Sequence, residues 1–169
     1  MIYPFNAREA FKIAVAIEEN GLKFYQQAAK KFAPSPISAL FENLAQEEVK
    51  HKQLFSEHLA GIPEQQSSAY DPNNETDMYL KMMADLHVFS TEAKTVEQLL
   101  AGISTPKDAL VLAMGFEKDS IVFFVQLKNA SDTVADKFSV DLLIIEEAKH
   151  LKKLAVLYNN IDSIQKNPS

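Results

Sequence analysis

The sequence predicts an all-α protein, an antiparallel four-helix bundle with one long crossover, and three observations carry that expectation. Four long stretches place apolar residues three and four apart, the period of a helix with one buried face. No stretch alternates apolar and polar residues in the manner of a strand, and glycine is scarce, at 4 of 169 residues. Finally, Glu47-Glu48-Val49-Lys50-His51 returns as Glu146-Glu147-Ala148-Lys149-His150, and the same offset of 99 carries Glu18 onto Glu117. A chance match of Glu, Glu and His at one offset has a probability on the order of 2 per cent. The helix-start patterns Asn6-Ala-Arg-Glu9 and Thr105-Pro-Lys-Asp108 share the offset, so the chain reads as a duplicated helical hairpin.

The first helix is expected from about residue 7 to 32. Phe11, Ala14, Glu18, Leu22 and Tyr25 fall on one side, which places Glu18 inside the core-facing stripe with Gly21 beside it. Pro34-Ser35-Pro36 ends that helix, and Ser35 before Pro36 suits the cap and first position of a second helix running to about 60. Its inner stripe is Leu40, Phe41, Leu44, Glu48, His51 and Leu54 or Phe55, and Gly61-Ile62-Pro63 stops it. The midpoint of Glu18 and Glu48 lies in the turn, so folding the hairpin brings the two carboxylates to one height. Residues 61–104 are too long for a simple loop and read as a crossover carrying short helices over 78–89 and 95–102. His87 lies there, outside the repeat, and is expected to be structural or exposed. The third helix is expected over 106–129, with Leu112, Ala113, Phe116, Glu117, Phe124 and Leu127 inward. The fourth is expected over 133–160, with Val140, Leu143, Ile144, Glu147, His150, Leu151, Leu154 and Leu157 inward. Residues 165–169 carry no core side chain and are expected to fray. The whole, 1–169, reads as a single domain: hairpin 6–60, crossover 61–104, hairpin 105–160.

Composition narrows the function classes. Hydrophobic residues at 47% and charged residues at 24% are ordinary for a water-soluble globular domain. A net charge of −6, with no Lys/Arg run, argues against a nucleic-acid surface. The absence of cysteine removes disulfides, zinc ribbons and iron–sulfur clusters from consideration. Met1-Ile-Tyr-Pro-Phe5 lacks the basic start and apolar run of a signal peptide, and no apolar stretch approaches 18 residues, so the expectation is a cytoplasmic protein away from membranes.

Glu and His three apart on a helix share one face, about 5–6 Å between Cβ atoms, and can bind one ion together. A Glu from each of two helices, with Glu-x-x-His from each of the other two, is the di-iron or di-manganese carboxylate arrangement. Four buried carboxylates would repel one another and resist ionisation, and two divalent cations cancel that charge. Oxygen and imidazole donors suit iron and manganese. The candidate ligands are therefore Glu18, Glu48 and His51 from one hairpin and Glu117, Glu147 and His150 from the other. Glu48 and Glu147 would bridge, Glu18 and Glu117 would be terminal, and one histidine would serve each ion. Positions left open would admit dioxygen or peroxide. Glu47 and Glu146 point toward Asn43, Lys50, Lys149 and Lys153, and are expected to support the ligands from outside or to sit in solvent. A purely structural bundle that binds no metal remains the competing reading of the same residues.

With those residues in place, the chain resembles the ferritin-like superfamily, in its rubrerythrin branch, over essentially all of residues 6–160. The resemblance implies two hairpins related by a pseudo-twofold, a di-iron centre at the six residues named, and reduction of peroxide. Tyr25, two turns along from Glu18, matches a tyrosine that this family places beside its metals, and is a candidate catalytic residue. Equally, it is a core aromatic whose hydroxyl needs a partner. Two departures stand out. Rubrerythrins proper carry a further glutamate three residues after the third-helix ligand, where this chain has Ser120. They also carry a four-cysteine electron-delivery domain, and this sequence has no cysteine, so electrons would come from a separate donor protein. The expectation is a two-iron oxidoreductase, peroxidase- or ferroxidase-like, in which manganese or zinc can substitute; the alternative is a non-catalytic iron-handling protein. Exposed apolar residues on long bundle helices suggest a homodimer.

Overall fold

The computed structural model describes residues 7–62, 96–130 and 134–166. Four long helices make the bundle: α1 (Ala7–Lys31), α2 (Pro36–Gly61), α4 (Pro106–Ala130) and α5 (Val134–Lys166), with a short α3 (Val96–Ala101) ahead of α4. No strand occurs among the described residues. Local chemistry sets the boundaries as the sequence suggests. Ser35 caps α2 by accepting from Ser38 N–H at 3.1 Å, with Pro36 in the first turn, where its missing N–H costs nothing. Thr105 Oγ1 accepts from Asp108 N–H at 3.1 Å and donates to Asp108 Oδ2 at 2.6 Å, closing the start of α4. At the far end of α2, Ile62 N–H bonds Leu59 O at 3.2 Å.

Contacts are densest within the hairpins α1–α2 and α4–α5, and across them α1 meets α4 and α2 meets α5. Arg8 Nη1 donates to Ile62 O at 2.7 Å, tying the start of α1 to the end of α2. At the opposite end, Lys31 Nζ donates to Leu100 O at 2.6 Å and Lys107 pairs with Asp162 at 2.9 Å. The end of α2 and the start of α3 therefore lie at opposite ends of the bundle, giving up–down–down–up order to the four long helices. The expected crossover helix at 78–89 and His87 lie outside the described residues; the one at 95–102 is α3.

The interior is two apolar cores with a polar layer between them. One gathers Phe24, Tyr25, Ile37, Phe41, Leu44, Leu110, Phe116, Leu154 and Ile161 under α3. Phe24 lies at its centre, edge-on to Phe116 at 4.6 Å and to Phe41 at 6.0 Å. The other gathers Phe11, Ile17, Phe55, Phe123, Phe124, Leu127, Val140 and Leu143. One boundary departs from expectation: α5 runs to Lys166 rather than ending near 160. Ile161 is 1% exposed and continues the inward line of Leu154 by two turns, so packing carries α5 past residue 160; residues 167–169, where fraying is expected, lie outside the described residues.

Candidate metal centre

Glu18, Glu48, His51, Glu117, Glu147 and His150 are all buried, each on a different turn of the four long helices, in the layer that separates the two cores. Two overlapping groups emerge: Glu18, Glu48, His51 and Glu147, and Glu48, Glu117, Glu147 and His150, each offering donor atoms within 4.8 Å of one another. Glu48 and Glu147 belong to both. The histidine rings lie nearly parallel, 5.5 Å apart with 18° between planes. His51 Nδ1 stands 2.8 Å from Glu147 Oε1 and 3.5 Å from Glu18 Oε2; His150 Nδ1 stands 3.3 Å from Glu147 Oε2 and 3.7 Å from Glu117 Oε1.

These distances are not made by hydrogen bonds. Glu18 Oε1, Glu147 Oε1, His51 Nδ1 and His150 Nδ1 are fully buried and have no hydrogen-bond partner, even though two of them approach to 2.8 Å. Buried polar atoms are normally satisfied, and an orphaned set costs about 1–3 kcal/mol each. Here these atoms belong to donor groups whose ligand atoms all lie within 4.8 Å of one another, a spacing that suits donors around a cation. The residues present fit a pair of divalent ions: hard carboxylate oxygens, one imidazole each, and two carboxylates placed to serve both.

The outer nitrogens explain which histidine atom faces inward. His51 Nε2 bonds Glu146 Oε2 at 2.8 Å, which puts the ring proton on Nε2 and leaves the Nδ1 lone pair for the layer. Glu146 sits on α5 and His51 on α2, so the bond also ties the two hairpins. Glu47 reaches the same face, with a carboxylate oxygen within 4.8 Å of nitrogens of both histidines, while Lys50 holds it at 3.1 Å. Sequence placed Glu47 and Glu146 as supports or surface; Glu146 is a support, with its side chain 44% exposed.

Tyr25, 1% exposed, donates its hydroxyl to Glu117 Oε1. Both readings of Tyr25 thus meet: it is a core aromatic, and its partner is a member of the layer. The internal offset pairs Gly21 with Ser120, and both are buried. A Cβ at Gly21 would touch Glu48 Cδ at 3.4 Å, so glycine here is the space into which Glu48 fits. Gly21→Leu is expected to push Glu48 out of the layer and lower bound metal toward zero while helix content stays unchanged; Gly21→Ala should be tolerated, since 3.4 Å is ordinary contact. Elemental analysis beside far-UV circular dichroism checks both.

Without ions, protons take their place. Burial pushes Glu18 and Glu48 well above the usual carboxylate range, and burial together with the Glu147 charge raises Glu117 to about 8. Burial opposes charge on His51 and His150 as well, yet the surrounding carboxylates outweigh it and raise them to about 9 and about 10. Of the layer carboxylates, Glu147 alone is held below its ordinary value: burial works against it, but the polar neighbours Glu117, His150 and His51 favour its charged form and outweigh burial. Tyr25 is pushed up by burial and by the Glu117 charge, so it stays a phenol.

A family model described as Rubrerythrin matches residues 9–158. Among solved structures, one from Thermotoga maritima, provisionally assigned as a ferritin-like diiron-carboxylate protein, superposes with a TM-score of 0.71. It is 23% identical, over 93% of this chain and 97% of that one, which establishes the shared fold. Comparison with curated proteins returned no match.

Proposed function

The chain belongs to the rubrerythrin family, whose members are ferritin-like diiron carboxylate proteins, and on that footing we propose that it is a two-iron oxidoreductase of peroxide or dioxygen. The single observation that carries this reading is the converging set of four orphaned buried donors between two doubly shared carboxylates. Glu48 and Glu147 would bridge the ions, Glu18 and Glu117 would close the ends, and His51 and His150 would each bind through Nδ1. Bound iron supplies electrons, one per ion, to an oxygen species. The chain's own residues do the rest. Two apolar cores keep bulk water from the layer, and Glu146 fixes the His51 tautomer. Tyr25 keeps a hydroxyl proton against Glu117 Oε1. Electrons would arrive from a separate donor protein.

No helix among the described residues is long and apolar enough to cross a membrane, and we place the protein in the cytoplasm. We read it as a homodimer joined along α5, where Phe138, Leu142, Ile145 and Val156 follow helical spacing and are exposed, Phe138 by 63%. A second role, iron handling with little turnover, draws support from Ser120, a small buried side chain where the rubrerythrins proper carry one more carboxylate. Anaerobic stopped-flow mixing of the iron-loaded, reduced protein with hydrogen peroxide decides between them. Rapid oxidation followed by multiple turnovers with a surrogate donor is expected, with the zinc-loaded protein inert. Oxidation no faster than that of free ferrous iron would leave iron handling as the function.

A further inference from the structure

We propose that the two metal positions are unequal, and that the one bounded by Glu117 and His150 fills first and more tightly, because Tyr25 holds Glu117 in place before an ion arrives. This rests on the two-ion reading above and concerns how that site loads. The offset of 99 pairs Glu18 with Glu117 and His51 with His150, but it pairs Tyr25 with Phe124. The hydroxyl therefore exists on one side only. Tyr25 is wedged between Phe24 at 5.4 Å and Phe41 at 5.7 Å, and its hydroxyl donates to Glu117 Oε1 in a sealed interior. Phe124 is packed as firmly, 5.0 Å from Phe55 and 6.0 Å from Phe123, and has nothing to donate. Correspondingly, Glu18 Oε1 is buried with no hydrogen-bond partner.

A carboxylate already anchored by a rigid donor loses little freedom when it binds an ion, whereas Glu18 meets Glu48 and His51, fellow members of the layer that the ion must order with it. Hydrogen-bond partners of metal ligands are typically worth 10–100-fold in affinity. The histidine side does not cancel this. Glu146, which steadies His51 on the Glu18 side, is 44% exposed, so water competes for that bond, while the Tyr25–Glu117 bond is dry.

Titration of the metal-free protein with cobalt(II) alone, followed by visible absorption and calorimetry, should show two steps, at the first and second equivalents. Tyr25→Phe should weaken the first step about 10–100-fold and draw it toward an unchanged second. Phe124→Tyr, which restores the hydroxyl at the offset-related position, should instead tighten the second step toward the first. Circular dichroism of each metal-free variant reports that it is folded, and either variant alone suffices. Two equal steps in the unaltered protein, no change in the folded variants, or a loss shared equally by both steps would overturn the proposal. Cobalt failing to bind at all would instead remove the two-ion reading on which it rests.

Discussion

Glu48→Ala and Glu147→Ala are each expected to abolish the paired-metal site, leaving well under one ion per chain after reconstitution. These two residues belong to both donor groups, so either truncation strips a ligand from both positions at once. Glu18→Ala and Glu117→Ala remove a donor from one group only and should leave the other position partly filled. Glu47→Ala should keep the full count, since Lys50 holds that side chain at the surface. Glu146→Ala should also keep the count at saturating metal, but with affinity lower by about 10–100-fold, because His51 loses the partner that aims its Nδ1. Metal analysis on the six variants is the measurement. Losses confined to the Glu47 and Glu146 variants would mean that the opposite flank of α2 and α5 holds the ions.

The second large effect is a reversal of pH dependence on loading. In the metal-free protein, Glu117 titrates near 8, His51 near 9 and His150 near 10, all above their unfolded values. A group whose folded pKa is raised binds more protons folded than unfolded between the two values, so stability falls as pH rises through that window. For Glu117 the window is about 4.5 to 8, and for the histidines about 6.5 to 9 and 6.5 to 10. Each whole-proton difference gives a slope of about 1.4 kcal/mol per pH unit. Glu147, lowered instead, contributes the opposite slope only in acid, below its ordinary value. Chelated protein should therefore lose several kcal/mol between about pH 6 and pH 9. Iron or zinc displaces those protons, so the loaded protein should gain about 2.7 kcal/mol at a hundredfold excess over Kd, and more as pH rises. Urea midpoints across pH, with and without chelator, test this; parallel curves would show that the layer does not exchange protons for metal.

How much of this was readable in the chain follows from where the information lies. The four helices and their inward faces are periodic signals, and the six layer residues stand on those faces at a repeated offset, so sequence alone could draw them together. The capping residues Ser35 and Thr105 were equally visible, because a cap acts within one turn. What escaped was non-local. The His51–Glu146 and Tyr25–Glu117 bonds join residues 95 and 92 apart on different hairpins, and no spacing along one helix encodes them. Phe24 escaped because the stripe of α1 read from the sequence runs through Leu22 and Tyr25, whereas the second hairpin also covers the side of α1 about 100° round from Tyr25, where Phe24 meets Phe116. The end of α5 escaped because Asn159 and Asn160 are poor helix formers, and the tertiary contacts that hold the helix past them, Ile161 in the core below α3 and Asp162 with Lys107, are non-local.

The pairing of donors between hairpins has a further consequence for symmetry. Three of the four residues of each donor group come from one hairpin, and the fourth, Glu147 or Glu48, comes from the other. Neither hairpin alone completes either group, yet two identical copies of one, related by a twofold axis, would supply the same six donors. The present chain is geometrically a homodimer of helical hairpins written as one polypeptide. Identical subunits must change both halves together, and a fused chain is free of that constraint. Tyr25 opposite Phe124 and Gly21 opposite Ser120 are differences that only the fusion permits.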